Sequence, residues 1–153
     1  MQKHWQGYDE SGSPGGAVSL DMAAAGALHG SVHVWLWRRA HDGTEEVLFQ
    51  KRSADMKTWP GCWDCSAAGH IDYSEQPMQA ALREAPEEIG VDFKETDLRL
   101  ICVFRDQLDY APANIKENEL QWLYTAEPSE DFLVIPHDTS YAQELLRGLK
   151  GKD

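Results

Sequence analysis

Glu84, Glu87 and Glu88 place three carboxylates within five consecutive residues. On an α-helix, side chains three or four positions apart share a face, so these carboxylates repel one another unless a cation is bound between them. Oxygen ligands on a rigid element suit Mg²⁺ or Mn²⁺, which keep several waters and take phosphate oxygens as further ligands. The pattern indicates metal-assisted attack of water on a phosphoanhydride; a solvated acidic helix face is the alternative.

Lys51, Arg52 and Lys57 form the most basic stretch of an otherwise acidic chain. Cationic side chains of this kind bind phosphate groups, so we expect these three residues to contact the substrate. A solvated basic loop is the alternative.

The three cysteines do not point to a metal or redox centre. Cys62 and Cys65 form a C-x-x-C motif, and Cys102 stands alone. Structural zinc normally requires a second ligand pair, and a redox motif requires a following helix, whereas the residues after Cys65 have a strand pattern. An odd number of cysteines without a secretory signal favours a reducing compartment.

Length and charge restrict the class of protein. The 153 residues carry 26 acidic and 14 basic side chains, a formal net charge of -12. Such a chain would be repelled by a nucleic-acid polymer, and it has no apolar run long enough to span a membrane. We therefore expect a cytoplasmic protein with a single domain over residues 1–153.

Strand patterns flank the carboxylates on the N-terminal side. Residues 31–39 and 45–53 predict a hairpin with a tight two-residue turn at Asp42 and Gly43, and residues 63–71 predict another strand. Residues 1–28 carry few such signals, so we expect a loosely structured N-terminal segment and a core over 29–153.

A helix over residues 75–89 would carry the three glutamates. Ser74 is a suitable N-cap, Pro77 falls in the first turn, and Gly90 suits the C-terminal end. Pro86 lies inside this helix, where a proline removes one hydrogen bond and costs about 3 kcal/mol. It predicts a kink or a widened turn between Glu84 and the pair that follows.

The C-terminal third predicts strands at 98–104 and 120–127, with 106–119 as the loop between them. Residues 140–150 predict a short closing helix. Strands and helices together indicate an α+β fold.

The segment 69–91 resembles the Nudix box, written G-x5-E-x7-R-E-U-x-E-E-x-G-U, where U is a bulky apolar residue. Its positions are occupied in register by Gly69, Glu75, Arg83, Glu84, Ala85, Glu87, Glu88, Gly90 and Val91. The resemblance implies a Nudix-type α/β/α sandwich with a mixed β-sheet between helices. It also implies that Glu84, Glu87 and Glu88 bind metal, with the Gly69 carbonyl completing the shell. Arg83 and Glu75 would hold the loop and the helix together.

Residues 29–120 are further similar to the isopentenyl diphosphate isomerase-like branch of Nudix proteins, in HGSVHVWLW, QKRSADMKTWPGCWD, SAAGHI and ENEL. In that branch, histidines and carboxylates outside the box hold the metal, and the matching residues here are His29, His70, Glu117 and Glu119. Arg52 matches a diphosphate-binding arginine, whereas Met56 replaces a frequent lysine.

The isomerases use a cysteine directly before the glycine-histidine pair, and this chain has Ala68 there. Cys65 would point to the opposite face of a strand and could not replace it. A complete box beside a missing cysteine favours hydrolysis over isomerisation.

We therefore expect a divalent-metal-dependent hydrolase that cleaves a diphosphate bond in a small-molecule substrate, with Mg²⁺ or Mn²⁺ as cofactor. Glu84, Glu119 and Arg83 are the expected catalytic residues, with Glu119 or Glu84 as the base. An isomerase and a non-catalytic diphosphate-binding module are the alternatives. The substrate is left open, and a homodimer is allowed.

Overall fold

The computed structural model describes residues 2–127 and the backbone of residues 142–147. The strands among these residues form one mixed β-sheet. They are β1 (His4–Tyr8), β2 (Pro14–Ser19), β3 (His29–Arg39), β4 (Glu45–Lys51), β5 (Trp63–Asp64), β6 (Ala67–His70), β7 (Arg99–Tyr110), β8 (Ile115–Ala126) and β9 (Ala142–Arg147). The helices are α1 (Leu20–Ala24) and α2 (Pro77–Ile89), and short 3₁₀ turns lie at Glu95–Asp97 and Ala111–Ala113.

Strand β3 organises the sheet. It pairs in parallel with β8, where His29 lies beside Glu119, and antiparallel with β6, where Ser31 lies beside His70. Its last residues pair with β4, and β7 pairs with the other side of β8. The start of β3 therefore lies between the end of β6 and the middle of β8.

The two faces of β3 have different surroundings. Side chains alternate between the faces of a strand, and Val32, Val34 and Leu36 are buried on one of them. Helix α2 contributes three alanines to this core, Ala80, Ala81 and Ala85, together with the larger Ile89. The other face of β3 carries Ser31 and His33, which border a cavity.

Helix α2 carries the box glutamates as expected, but it begins differently. Ser74 was predicted as the N-cap, and this is wrong: it has a left-handed φ of 68°, and Gln76 caps the helix in a reciprocal capping box with Gln79. Gly90 ends the helix with φ 70°, as predicted. The helix continues through Pro86 without a break.

The first predicted hairpin is present, with a wider turn. The Ala40 N–H donates to the Thr44 carbonyl, and Gly43 has φ 79°, so three residues and not two form the turn. Residues 63–71 were predicted as one strand, but they contain two short ones, β5 and β6.

The prediction of a loop over 106–119 was wrong. Strands β7 and β8 run through it and pair from Arg99 to Tyr110, with the turn at Ala111–Ala113 and Asn114 in the left-handed region. Charged residues in this stretch gave it a loop-like composition, but cross-strand pairing overrides such preferences. Glu117 and Glu119 therefore lie on a strand.

The predicted helix over 140–150 was also wrong where the structure describes it. Residues 142–147 form β9, antiparallel to β4. Backbone pairing along the edge of β4 outweighs helix propensity here. The rest of that predicted helix lies outside the described residues.

The N-terminal segment is more ordered than expected. Strands β1 and β2 form a hairpin, and α1 follows with its N-terminus capped by Ser19. The Gln6 N–H donates to the Ile71 carbonyl, and the Tyr73 N–H donates to the His4 carbonyl. These bonds attach β1 to the segment that follows β6. None of the described helices has the length and apolar character to cross a bilayer.

Candidate functional site

A cavity of about 550 Å³ lies beside β3, β6 and β8. Its volume is in the range of small-molecule sites. Six carboxylates border it: Asp64, Glu84, Glu88, Asp106, Glu117 and Glu119. Among the described residues, only two lysine or arginine side chains do so, Lys3 and Arg52. The cavity is therefore strongly acidic.

His29, His70 and Glu119 form the tightest cluster of potential metal ligands in the described part of the chain, with ligand atoms within 4.8 Å of one another. His70 Nε2 lies 3.1 Å and His29 Nε2 lies 3.6 Å from the same oxygen of Glu119. The cluster follows directly from the pairing of β3 with β6 and β8. We call it the histidine cluster.

The hydrogen bonds of the histidine cluster favour a cation at its centre. His29 Nδ1 lies 2.8 Å from the Ala27 carbonyl, which can only accept, so Nδ1 carries the proton. In a neutral ring, Nε2 then directs a lone pair toward the Glu119 carboxylate. Two acceptors face each other there, and a proton or a metal ion would separate them.

Glu119 is held in its charged form. Burial raises the pKa of its carboxyl, but the His29 and His70 rings, when protonated at Nε2, outweigh burial and hold the pKa well below its usual range. Glu117, two residues earlier on β8, has its pKa raised by burial and by the nearby Glu119 charge. An ionised Glu119 suits a metal ligand better than a proton acceptor.

The Trp5 indole covers the histidine cluster. Its ring is stacked on His70, with centroids 3.8 Å apart and planes at 17°, and on His29 at 5.1 Å and 22°. Trp5 lies on β1, which the sequence had placed in a loosely structured segment.

Arg83 joins the loop, the strand and the helix around the cavity. Its guanidinium binds both oxygens of Glu75 at 2.9 and 3.0 Å, the His70 carbonyl at 2.9 Å and the Glu84 carboxylate. The hydrogen bond to Glu75 is the main cause that raises the pKa of Arg83. These contacts fit the connecting role that the box implied for Arg83 and Glu75.

Gly69 makes room for Glu84. A Cβ atom at position 69 would lie 2.1 Å from the Glu84 carboxyl carbon. Glu84 is 8% exposed, and burial raises the pKa of its carboxyl, with partial compensation by Arg83.

Glu88 lies further along the same edge of β6. Its carboxylate accepts hydrogen bonds from the Gln50 amide at 2.6 Å and the Ala68 N–H at 3.0 Å. Burial nevertheless raises the pKa of Glu88 to about 7. Glu84 and Glu88 thus both border the cavity, each with a local partner.

The other predicted site residues differ in whether they border the cavity. Glu87 has a 60% exposed side chain near Arg83 and does not border the cavity. Arg52 does border it, held by Thr58 and Asp64. Lys51 and Lys57 are exposed and are absent from its wall; the Lys51 ammonium lies 5.7 Å from the Trp63 ring centroid.

Sequence reasoning missed several wall residues, among them Lys3, Trp5, His33, Asp64 and Asp106. For His33 a signal existed: His29, Ser31 and His33 alternate with apolar residues, which is the pattern of a strand with one polar face. Burial lowers the pKa of His33, which keeps its ring neutral near pH 7.

Ala68 borders the cavity at the position where an isomerase would carry its cysteine. Cys65 is buried and donates to the Ala67 carbonyl, while Cys62 and Cys102 are exposed. No thiol of the described residues contributes to the wall of this cavity.

The structure thus combines a mixed sheet, a carboxylate-bearing helix packed beside it and an acidic cavity at their junction. The NUDIX domain model matches residues 27–145, and the chain belongs to this family. The Nudix-type fold predicted from the sequence is confirmed.

The relatives carry two different names. The chain is 35% identical over 111 residues to Nudix hydrolase 3 of Arabidopsis thaliana, covering 72% of this chain and 14% of that protein. It is 32% identical over 131 residues to an isopentenyl-diphosphate Delta-isomerase of Corynebacterium diphtheriae, covering 82% and 68% of the two chains. Among solved structures, a Deinococcus radiodurans protein matches with a TM-score of 0.67 at 19% identity, covering 94% and 83%, which supports the fold.

Proposed function

We propose that this protein hydrolyses a diphosphate bond in a small-molecule substrate and requires a divalent metal ion. The acidity of the cavity carries the proposal, because six carboxylates and two lysine or arginine side chains surround the space for the substrate. A diphosphate is an anion and would be repelled there unless cations neutralise the wall. The name of the Arabidopsis relative agrees with hydrolysis.

The histidine cluster fits a divalent ion. Two imidazole nitrogens and one carboxylate converge within 4.8 Å, and an ionised Glu119 needs a counter-charge. Of the two ions expected, this mixed set favours Mn²⁺, since imidazole is a poor ligand for Mg²⁺. Glu84 and Glu88 add oxygen donors at the same cavity. A bound ion would polarise the phosphate and lower the pKa of a bound water.

The hydrolysis step would assign a different role to each remaining side chain. The water oxygen bonds to phosphorus, the bridging phosphorus–oxygen bond breaks, and the water proton passes to a carboxylate. Glu88 is the best match for this proton acceptor, because burial raises its pKa to about 7 in the metal-free protein, close to neutral pH. Glu119 is better suited to binding metal, and Arg83, engaged by Glu75 and Glu84, to positioning the glutamates.

Arg52 would bind the diphosphate. Four hydrogen bonds to Thr58 and Asp64 fix its guanidinium at the cavity wall. A guanidinium has five N–H donors, so at least one remains for a phosphate oxygen.

Isomerisation is the second candidate, because the isomerase of Corynebacterium diphtheriae is a similar protein and the histidine cluster occupies the positions that resemble its branch. Proton transfer at carbon would need an acid-base group where Ala68 presents a methyl group. The absence of a thiol from the cavity wall, among the described residues, makes hydrolysis the better-supported function.

The test is phosphate release from a panel of nucleoside, sugar-nucleotide and isoprenoid diphosphates, with Mn²⁺, Mg²⁺ or a chelator. We expect release with metal only, and a loss of about 100-fold in kcat/KM for Glu84→Gln and Glu119→Gln. Glu45→Gln is the matched control, since Glu45 is exposed and pairs with Arg39 on the β3–β4 hairpin. Double-bond migration in isopentenyl diphosphate without phosphate release would establish the isomerase instead. Silence in both assays would support a binding module.

A further inference from the structure

Trp5 makes the most extensive aromatic contact of the histidine cluster. One indole lies nearly parallel to both imidazoles, at 3.8 Å from His70 and 5.1 Å from His29, whereas the two imidazoles are tilted by 37° to each other. A contact of this kind with both candidate ligands requires that the indole be held in place.

The backbone of β1 is fixed on both sides of Trp5. The preceding residue, His4, accepts from the Tyr73 N–H at 3.0 Å, and the following residue, Gln6, donates to the Ile71 carbonyl at 2.8 Å. Gly7 pairs with His29 itself. Trp5 is thus attached to the residues that follow His70 and to the strand that carries His29.

The two histidines are oriented in different ways. His29 directs Nε2 into the cluster because its Nδ1 donates to the Ala27 carbonyl, which is the usual way in which a protein fixes a ligating imidazole. Within the described residues, His70 Nδ1 has no such hydrogen bond. Its ring plane is defined by the Glu119 contact at one nitrogen and by the indole against its face.

We propose that Trp5 is a positioning residue of the histidine cluster: by stacking on His70 it fixes the plane of that ring, so that both Nε2 atoms and the Glu119 carboxylate converge on one divalent ion. For His70, the indole replaces the second hydrogen bond that orients His29. The proposal rests on the metal-binding part of the proposed function and adds β1 to the site.

Stacking also favours the metal-bound form electrostatically. An imidazole that donates its lone pair to a cation gains positive charge, and the negative face of an indole attracts that charge. An aliphatic side chain at position 5 would fill space without this attraction and without a flat surface.

The test measures Mn²⁺ binding to the metal-free protein by calorimetry, without substrate. Loss of a group that orients a ligating imidazole costs about 10- to 100-fold in metal affinity, so we expect Trp5→Leu to raise Kd at least about tenfold. Trp5→Phe keeps a stacking ring and should remain within about threefold of the wild type. Trp63→Leu, which removes an exposed tryptophan outside the cluster, should leave Kd unchanged, and Glu119→Gln should abolish binding.

Nuclear magnetic resonance of the metal-free protein supplies a second readout that is independent of metal affinity. The ring protons of His70 should be shifted upfield by the indole, and the shift should disappear in Trp5→Leu. If Trp5→Leu fails to fold by circular dichroism, Trp5→Met replaces it and is compared with Trp5→Phe.

Each outcome has a separate meaning. Wild-type protein that binds no Mn²⁺ would overturn both the metal cluster and the inference. Wild-type binding with an unchanged Kd in a folded Trp5→Leu protein, or His70 protons without an upfield shift, would overturn the role of Trp5 alone. Phosphate release is assayed separately, so a failure of hydrolysis with intact Mn²⁺ binding would count against the proposed function only.

Discussion

The Glu84 carboxylate occupies the space that a side chain at position 69 would need. Glu84 passes over β6 at Gly69, which has no side chain, and Arg83 also contacts its carboxylate. The glycine is needed here for space, because its φ is not in the left-handed region. The fixed glycine of the motif is therefore explained by the helix that packs over it.

Gly69→Ala should displace Glu84 and damage both stability and activity. The new Cβ would lie 2.1 Å from the Glu84 carboxyl carbon, so the side chain or the strand must move. Overpacking of this kind costs about 1–3 kcal/mol, and we expect at least a tenfold loss of kcat/KM. Urea unfolding and the hydrolysis assay measure the two effects.

Gly16→Ala on β2 is the matched control, since a Cβ there meets nothing within 4 Å. It should change stability by less than about 0.5 kcal/mol. A Gly69→Ala protein as stable and active as this control would contradict the prediction, because the Glu84 side chain could then adopt another position without loss.

Glu88 should make the stability of the metal-free protein pH-dependent. Its pKa is about 7 in the folded state against 4.5 for an ordinary glutamate, so folding favours the protonated form. The stabilisation is complete below about pH 4.5 and is lost as the pH rises through about 7. A shift of this size corresponds to about 3 kcal/mol.

We therefore expect the free energy of unfolding of Glu88→Gln to increase relative to that of the wild type between pH 5 and pH 8, when both are measured with a chelator present. Urea unfolding at four pH values measures the difference, and Glu45→Gln controls for the loss of a carboxylate elsewhere. Parallel curves for wild type and Glu88→Gln would contradict the raised pKa.

At the scale of elements, the sequence predicted what local patterns determine. The β3–β4 hairpin, the helix with its Gly90 end and the strand character around Ala68 followed from periodicity and end signals. The β7–β8 hairpin was predicted too short because its tip resembles a loop in composition, although residues 106–110 pair with residues 115–119 through the backbone. Strand β9 depends on distant pairing with β4, which no local pattern encodes.

The same limit applied to the site. The box predicted Glu84, Glu88 and Arg83 because their spacing is local, whereas β1 reaches the cavity through tertiary contacts with residues 71–73 and with His29. Trp5 and Lys3 therefore had no sequence signal of their own.

Pro86→Leu should raise the thermal stability of the protein. Helix α2 continues through Pro86, so the Leu82 carbonyl loses its ordinary partner and the proline ring crowds it. Restoring the N–H should recover about 1–3 kcal/mol, or about 3–10 °C in melting temperature for a chain of this size.

Pro77→Ala is the matched control, because Pro77 lies in the first turn, where a missing N–H costs little. Differential scanning calorimetry measures both variants. An unchanged or lower melting temperature for Pro86→Leu would show that the helix has adapted to the proline.

At the scale of the whole molecule, charge connects the fold to the proposed activity. The chain carries a net charge of -12, and six carboxylates converge on one cavity, so folding without a cation works against electrostatic repulsion. The single-domain organisation, the cytoplasmic location and a homodimer stay predictions.

Mn²⁺ should therefore stabilise the folded protein, and the histidine cluster should be responsible. A ligand present at 100 times its Kd adds about 2.7 kcal/mol to the free energy of unfolding, which corresponds to about 5–10 °C in melting temperature. KCl at matched ionic strength measures general screening of the negative charge, which acts on every variant alike. Glu119→Gln removes the ionised ligand of the cluster and should abolish the Mn²⁺ effect beyond that of KCl. Equal stabilisation by Mn²⁺ in wild type and Glu119→Gln would place the ion elsewhere, and Glu84→Gln would then show whether the carboxylates of α2 bind it.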